Sequence, residues 1–289
     1  MTARVSIFRT LDALRGVAAG YRFSASKLLS RAELALIRRM PFRVQSAYIL
    51  ELRQVIQFPQ QASSMFGEIF INEVYRPVVA LPPNPTIVDL GTNLGIFCMY
   101  INQLVSQAQI YGFEANPRLF PYLEMNIRHL PDHKNRVDLF NVAVSSEDGF
   151  LDFTLDHANL ASVASTAFLD TSSFPDAANY RPLRMPCARL DKFVPGRIDF
   201  LKCDIEGAEY SVLQDGLLAP ERVGQAAIEF HDLKRQSHRF KHIIEAAFAN
   251  GYALYGPGSD EMRTPHEIME GVSKAAWTST ITRFCARDL

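Results

Sequence analysis

The chain has 289 residues, is 48% hydrophobic and 21% charged, and carries a formal net charge of −1. That length suits one large domain plus an extension, and the composition excludes a disordered protein. The near-zero charge argues against a broad nucleic-acid footprint, and no apolar run approaches the ~20 residues of a membrane span.

Residues 1–80 read as a helical N-terminal extension. Residues 1–43 hold nine Lys/Arg and two acids, Asp12 and Glu33. Ile7, Leu11, Leu14 and Val17 share one helical face. A packed extension, a membrane-surface helix and an Arg-rich transit peptide all fit this pattern; packing against a core is the reading favoured here. Such helices also offer a homodimer interface. The stretch 66–77 has no decisive period, and the breaker cluster Leu81-Pro82-Pro83-Asn84-Pro85 opens the main domain, 81–289.

From residue 86 strands and helices alternate. "TIVDLG" (86–91) is a strand, followed by a helix in "GIFCMYINQLV" (95–105). "AQIYGFEA" (108–115) is a second strand. The next helix has Asn116 as its expected N-cap and Pro117 at its first position. "VDLFNVAVS" (137–145) is a third strand. This β-α-β-α-β order implies a parallel sheet covered on both faces. Residues 150–156 and 183–193 then alternate like paired strands, forming a 150–193 hairpin insertion. The long segment between them, 156–182, is a candidate lid.

The rhythm resumes with a fourth strand (198–205) and its helix, a fifth strand (225–230), a helix closed by Gly251, and a sixth strand (252–256). A seventh near 278–288 follows a stretch read as non-helical, so it is expected to be antiparallel. The expected fold is α/β, with a mostly parallel seven-stranded sheet. Cys98, Cys187, Cys203 and Cys285 show neither C-x-x-C nor zinc spacing. They read as reduced thiols in a reducing compartment, so a cytoplasmic location is expected.

The chemistry begins at Asp89, which ends a strand just before Gly91, Thr92, Asn93 and Gly95. Ligands of open α/β sheets sit at such carboxyl ends. Gly91 permits a tight turn, Asn93 tolerates left-handed backbone, and Gly95 permits close helix–strand approach. Glu114 ends the second strand, near the spacing at which dinucleotide-binding folds place a ribose-binding acid. An acid at the turn would repel a pyrophosphate but attract an ammonium and a sulfonium. S-adenosylmethionine carries both, together with an adenosine.

"VDLGTNLGIF", "YGFEANPRLFPYLEMNI", "VAVSSEDG", "RLDKF", "IDFLKCDIEGAEYSVLQDG" and "IEFH" together resemble the FkbM-type S-adenosylmethionine-dependent methyltransferases. The likeness covers about 84–232, and "LKCDIEGAE" is its most specific piece. It implies a Rossmann-like class I methyltransferase fold with S-adenosylmethionine as cofactor. Asp89, Gly91, Thr92, Asn93 and Gly95 would line the methionine part. Glu114 would hold the ribose, Ala115 would also be cofactor-binding, and Val142, Ala143 and Val144 would lie near the adenine. Asp204 would approach the methionine ammonium or the acceptor.

The implied reaction is O-methylation of a small molecule, natural product or sugar. An alcohol acceptor must lose a proton, so a base is useful. His231, Asp204, Glu206 and Glu229 are the candidate catalytic residues, and His231 has the best unperturbed pKa. Glu206 reads equally as a helix cap or a substrate contact. Several carboxylates with one histidine also suit Mg²⁺, which the sequence leaves unassigned. The alternative is a catalytically degenerate adenosyl-binding interaction module. A nicotinamide dehydrogenase is disfavoured by Asp89 and the missing central glycine. Amino-directed nucleic-acid methylation is disfavoured by "DIEG" where those enzymes often show N/D-P-P-Y/F.

Overall fold

The strands of the main sheet form because their apolar runs have somewhere to be buried on both faces. In a computed structural model, described for residues 44–49, 54–59, 65, 67–156, 180–213, 216–256, 259–275 and 279–287, a hairpin comes first. Its strands are β1 (Val44–Ile49) and β2 (Gln54–Pro59). The helical extension expected over 1–80 therefore does not hold for 44–59; β-branched and aromatic residues there pair as strands. The basic residues 1–43, and any dimer helix in them, lie outside the described residues.

After a π-helical turn (Gly67–Ile71) come β3 (Thr86–Leu90), α1 (Ile96–Leu104), β4 (Gln109–Phe113), α2 (Phe120–Ile127), α3 (His133–Arg136) and β5 (Val137–Phe140). The third strand expected over 137–145 is split. Its first half joins the main sheet as β5. Its second half, β6 (Ala143–Val144), pairs instead with the β7 (Gly149–Asp156)/β8 (Tyr180–Ala188) hairpin. Strands β7 and β8 pair antiparallel; of the candidate lid 156–182, Asp156 and residues 180–182 belong to these strands and residues 157–179 lie outside the described residues. The chain continues with β9 (Ile198–Cys203), α4 (Glu209–Val212), β10 (Val223–Phe230), α5 (Leu233–Ala249), β11 (Tyr252–Tyr255), β12 (Met262–Arg263), α6 (Pro265–Ala275) and β13 (Thr280–Ala286).

The main sheet has eight strands in the order β12-β11-β13-β10-β9-β3-β4-β5. Seven are the expected ones, and the two-residue β12 adds an edge. Pairing is parallel from β5 through β10, and β13 inserts antiparallel between β10 and β11. This is a Rossmann-like sheet with an antiparallel edge. The seventh strand is antiparallel as expected, but α6 precedes it where no helix was expected. The expected cap Asn116 also sits upstream of α2: its side chain accepts the Arg118 N–H at 3.0 Å in a local turn, and the helix begins at Phe120.

β3 runs first, the chain winds outward to β4 and β5, and it returns to β9 on the other side of β3. The β3/β9 border is thus a topological switch point, where such sheets open a crevice at their carboxyl ends. One core cluster packs α1 and α2 against one face, around Phe97, Met99 and Leu123. The other packs α5 against the opposite face, around Phe230, Phe240 and Ile244.

Candidate active site

At the switch point Asp89 of β3 and Lys202 of β9 are register partners. Asp89 has no exposed surface. Its Oδ1 lies 3.3 Å from Lys202 Nζ, and its Oδ2 accepts from Cys98 Sγ at 3.4 Å. Direct contact between Asp89 and a ligand, as expected from sequence, is therefore replaced by a buried ion pair beneath the turn. Lys202 belongs to the "LKCDIEGAE" run but is assigned no role from sequence, because a lysine inside an apolar strand carries no sign of its cross-strand partner. Its ammonium also donates to Gly91 O at 2.7 Å and stands 3.7 Å from Asp204 Oδ2. Burial pulls its pKa down, but Asp89 and Asp204 outweigh that and hold it above the ordinary lysine value.

The turn itself is built as its residues suggest. Gly91 has φ 76° and Asn93 has φ 52°. A Cβ on Gly91 would sit 1.8 Å from Asp204 O, so only glycine lets the two loops touch. Gly95, at φ 80°, lets Leu123 and Ile127 of α2 close on the start of α1. Thr92 is buried, and its hydroxyl donates to Asp89 O at 2.8 Å.

Glu114 is buried and faces this turn. Its carboxylate accepts the Asn93 N–H at 2.8 Å and the Asn116 N–H at 2.7 Å. Burial pushes its pKa up to about 7 against the pull of those two donors. Asn141, missed in the sequence, donates from Nδ2 to Glu114 O at 2.7 Å and to Ala115 O at 3.3 Å, tying the end of β5 to the end of β4. Val142 is half-buried, whereas Ala143 and Val144 are buried against β8. Asn93 Oδ1 is buried and has no hydrogen-bond partner.

Beyond β9 and β10 the acids gather around His231. Its Nδ1 lies 2.9 Å from Glu209 Oε1. Its Nε2 lies 3.4 Å from Glu206, 3.6 Å from Glu229 and 3.9 Å from Asp204. Burial disfavours the charged ring, but the bond to Glu209 and the surrounding carboxylates hold its pKa up to about 10. These neighbours favour the imidazolium at neutral pH, a form with no lone pair for the role of base expected of His231. Glu206 and Glu229 are both raised, by burial first.

Glu209 has no exposed surface and accepts from the Gly207 and Ile205 N–H groups. These bonds brace the loop before α4, whose N-cap residue is Ala208 with no side-chain cap, so Glu206 is not the helix cap. Asp204, Glu206 and His231 each bring one donor atom within 4.8 Å of the others, which is metal-ligand spacing. The imidazolium already supplies positive charge to Asp204, Glu206 is held toward its neutral form, and we read the group as a cluster of ion pairs and hydrogen bonds. Tyr75, also missed in the sequence, reaches in from the segment before β3. Its hydroxyl bonds Glu229 Oε2 at 2.8 Å and Asp204 Oδ2 at 3.1 Å.

The methyltransferase FkbM domain matches residues 89–254, more than half of the chain. The chain belongs to the FkbM methyltransferase family. The match spans the Gly91 turn, Glu114 and the His231 cluster, whereas Tyr75 lies before it.

Among relatives, the AMB antimetabolite synthetase AmbE of Pseudomonas aeruginosa is 28% identical over 58% of this chain and 9% of its own length. The methyltransferase sdnD of Sordaria araneosa is 29% identical over 53% of this chain and 68% of its own. The 2-O-methyltransferase NoeI of Sinorhizobium fredii is 28% identical over 50% of this chain and 63% of its own. The chain therefore spans a small part of AmbE and somewhat under two thirds of NoeI. No helix among the described residues is long and apolar enough to cross a membrane.

Proposed function

We propose that this FkbM-family chain is an S-adenosylmethionine-dependent O-methyltransferase acting on a hydroxyl of a small molecule, natural product or sugar. The observation that carries this reading is the backbone contact of Gly91 with Asp204, which joins the turn and the acid cluster in one crevice. The residues present fit the cofactor. Asn93 Oδ1 is a buried acceptor lacking a donor, and a ligand hydroxyl or ammonium would supply one. On this reading Glu114 accepts from the ribose hydroxyls, Val142 borders the base, Ala115 lies beside the cofactor, and Gly91 and Asn93 hold the methionine part. When bound, S-adenosylmethionine supplies an electrophilic methyl group on sulfur. The relative NoeI, named as a 2-O-methyltransferase, supports oxygen as the acceptor atom.

The protein's own part is to position the acceptor and remove its proton. Asp204 is the carboxylate we assign as base. Tyr75 and Lys202 both engage its Oδ2. Its Oδ1 has His231 Nε2 at 3.9 Å, beyond hydrogen-bond range, and is left to take a proton. Glu206, held toward its neutral form, is a donor for an acceptor oxygen.

Calorimetric titration with S-adenosylhomocysteine, with NAD⁺ as control, tests the cofactor class. Micromolar binding of the former alone is the expected result. Failure to bind it would overturn the cofactor assignment, whereas binding without methyl transfer to any acceptor would favour the degenerate adenosyl-binding module. Methyl incorporation into a panel of hydroxylated metabolites and sugars then tests the acceptor class.

A further inference from the structure

Tyr75 presents one hydroxyl to two carboxyl groups. Its ring is 4% exposed and packs edge-on against Phe97, with centroids 6.2 Å apart. Lys202 Nζ lies 5.4 Å from the ring centroid. Burial, and then the charges of Asp204 and Glu229, keep the phenol protonated. The hydroxyl oxygen stands 2.8 Å from Glu229 Oε2 and 3.1 Å from Asp204 Oδ2, on adjacent strand ends.

A phenol has one hydrogen to donate and can accept another. It cannot donate well-directed bonds to two carboxylates at once, and two carboxylates sharing one partner repel. Both short contacts become good hydrogen bonds if one carboxyl is protonated and donates to the tyrosine oxygen. Lys202 Nζ is 3.7 Å from Asp204 Oδ2, which places the negative charge on Asp204. The proton then belongs to Glu229, whose other oxygen faces His231 at 3.6 Å.

We propose that Tyr75 is a positioning residue that divides this pair into an acid and a base. Glu229 donates to the tyrosine oxygen, Tyr75 donates to Asp204, and Asp204 stays ionised. This rests on the methyltransferase reading for its catalytic meaning: as the acceptor O–H bond breaks and the O–CH₃ bond forms, the S–CH₃ bond breaks and the proton goes to Asp204 Oδ1, then to water. Glu229 keeps its proton throughout. A residue outside the 89–254 family match thereby sets the protonation of the family's own acids. The other groups bearing on the pair are Lys202, His231, Glu206, Glu68 and the Ser279 side chain, which bonds Glu229.

The test is a carbon-13 NMR titration of side-chain carboxyls in the unliganded protein. Signals are assigned with Asp204→Asn and Glu229→Gln. In the wild type, Glu229 is expected protonated and Asp204 ionised at pH 7; an ionised Glu229 or a protonated Asp204 would overturn the proposal without any variant. Tyr75→Phe keeps the ring and removes the hydroxyl. The Glu229 midpoint should then fall by about one pH unit, because its protonated form loses the tyrosine oxygen as acceptor. An unchanged Glu229 midpoint, or one that rises, would show that the tyrosine does not order the pair. Calorimetry with S-adenosylhomocysteine on the same samples separates the two readings. Absent binding in the wild type sinks the methyltransferase reading alone, whereas an unmoved or raised Glu229 midpoint with binding intact sinks only the role of Tyr75.

Discussion

Lys202 Nζ lies 3.3 Å from Asp89 Oδ1, and the two residues face each other in register across β9 and β3. Neither side chain is more than 4% exposed. Removing one partner leaves the other as an uncompensated buried charge, which costs about 3–5 kcal/mol. Lys202→Met is therefore expected to lower unfolding stability by about that amount, and Asp89→Asn by a comparable one. The double variant should lose less than the sum of the two, because neither charge is then stranded. Urea denaturation of all four proteins measures the coupling; additive losses would show that the pair is not an interacting unit.

Much of this arrangement is legible in the sequence, and the exceptions have a common cause. Local signals carried the parallel order: apolar runs closed by Asp89-Leu90-Gly91 and by Glu114, and helix-length apolar patterns between them. The left-handed backbone expected at Asn93 is present at φ 52°. Long-range pairing carried what was missed. Tyr75 meets partners 129 and 154 residues away, so no window of sequence contains the contact. His231 was read from its unperturbed pKa, yet its charge is set by Glu209, Glu206 and Asp204 on the β9–α4 connection and the start of α4, 22 or more residues away in the chain. Asp89 has the residue type for a ligand contact, but its register partner Lys202 turns it inward.

Gly91 joins the two halves of the crevice, and a methyl group there has no room. A Cβ would stand 1.8 Å from Asp204 O, at a φ of 76° that side chains rarely adopt. Gly91→Ala is expected to destabilise by about 2 kcal/mol or more and to weaken S-adenosylhomocysteine by at least about tenfold. Gly196→Ala is the control. Its φ is 73° with nothing within 4 Å of a new Cβ, so it should show the backbone strain, about 1 kcal/mol, and unchanged binding. Equal behaviour of the two variants would mean that the approach to Asp204 does not shape the site.

With Glu114 as the proposed ribose acceptor, cofactor binding is expected to be sensitive to pH near neutrality. Burial pushes its carboxyl up to about 7, and ribose hydroxyls need the ionised form as their acceptor. The dissociation constant for S-adenosylhomocysteine should be flat above that pH and rise toward about tenfold per unit below it. Glu114→Gln should bind weakly and lose the slope between pH 5.5 and 7. A slope that survives in Glu114→Gln would assign the titration to another group.

His231 provides a test in which the sign of the pH effect is decisive. Its folded pKa, held up to about 10 by Glu209, Glu206 and Asp204, exceeds the unfolded value of about 6.5. The folded state therefore keeps a proton that the unfolded state has lost across this interval. The stabilisation from the imidazolium is fully present below about pH 6.5, declines as pH rises, and is gone once pH passes the folded value. His231→Gln should consequently be less stable than the wild type by its widest margin near pH 6, and that margin should narrow steadily toward pH 10. Urea unfolding of both proteins at pH 6, 8 and 10 measures it. A margin that grows with pH would mean that the ring is neutral in the folded protein, and His231 would regain its place as a base.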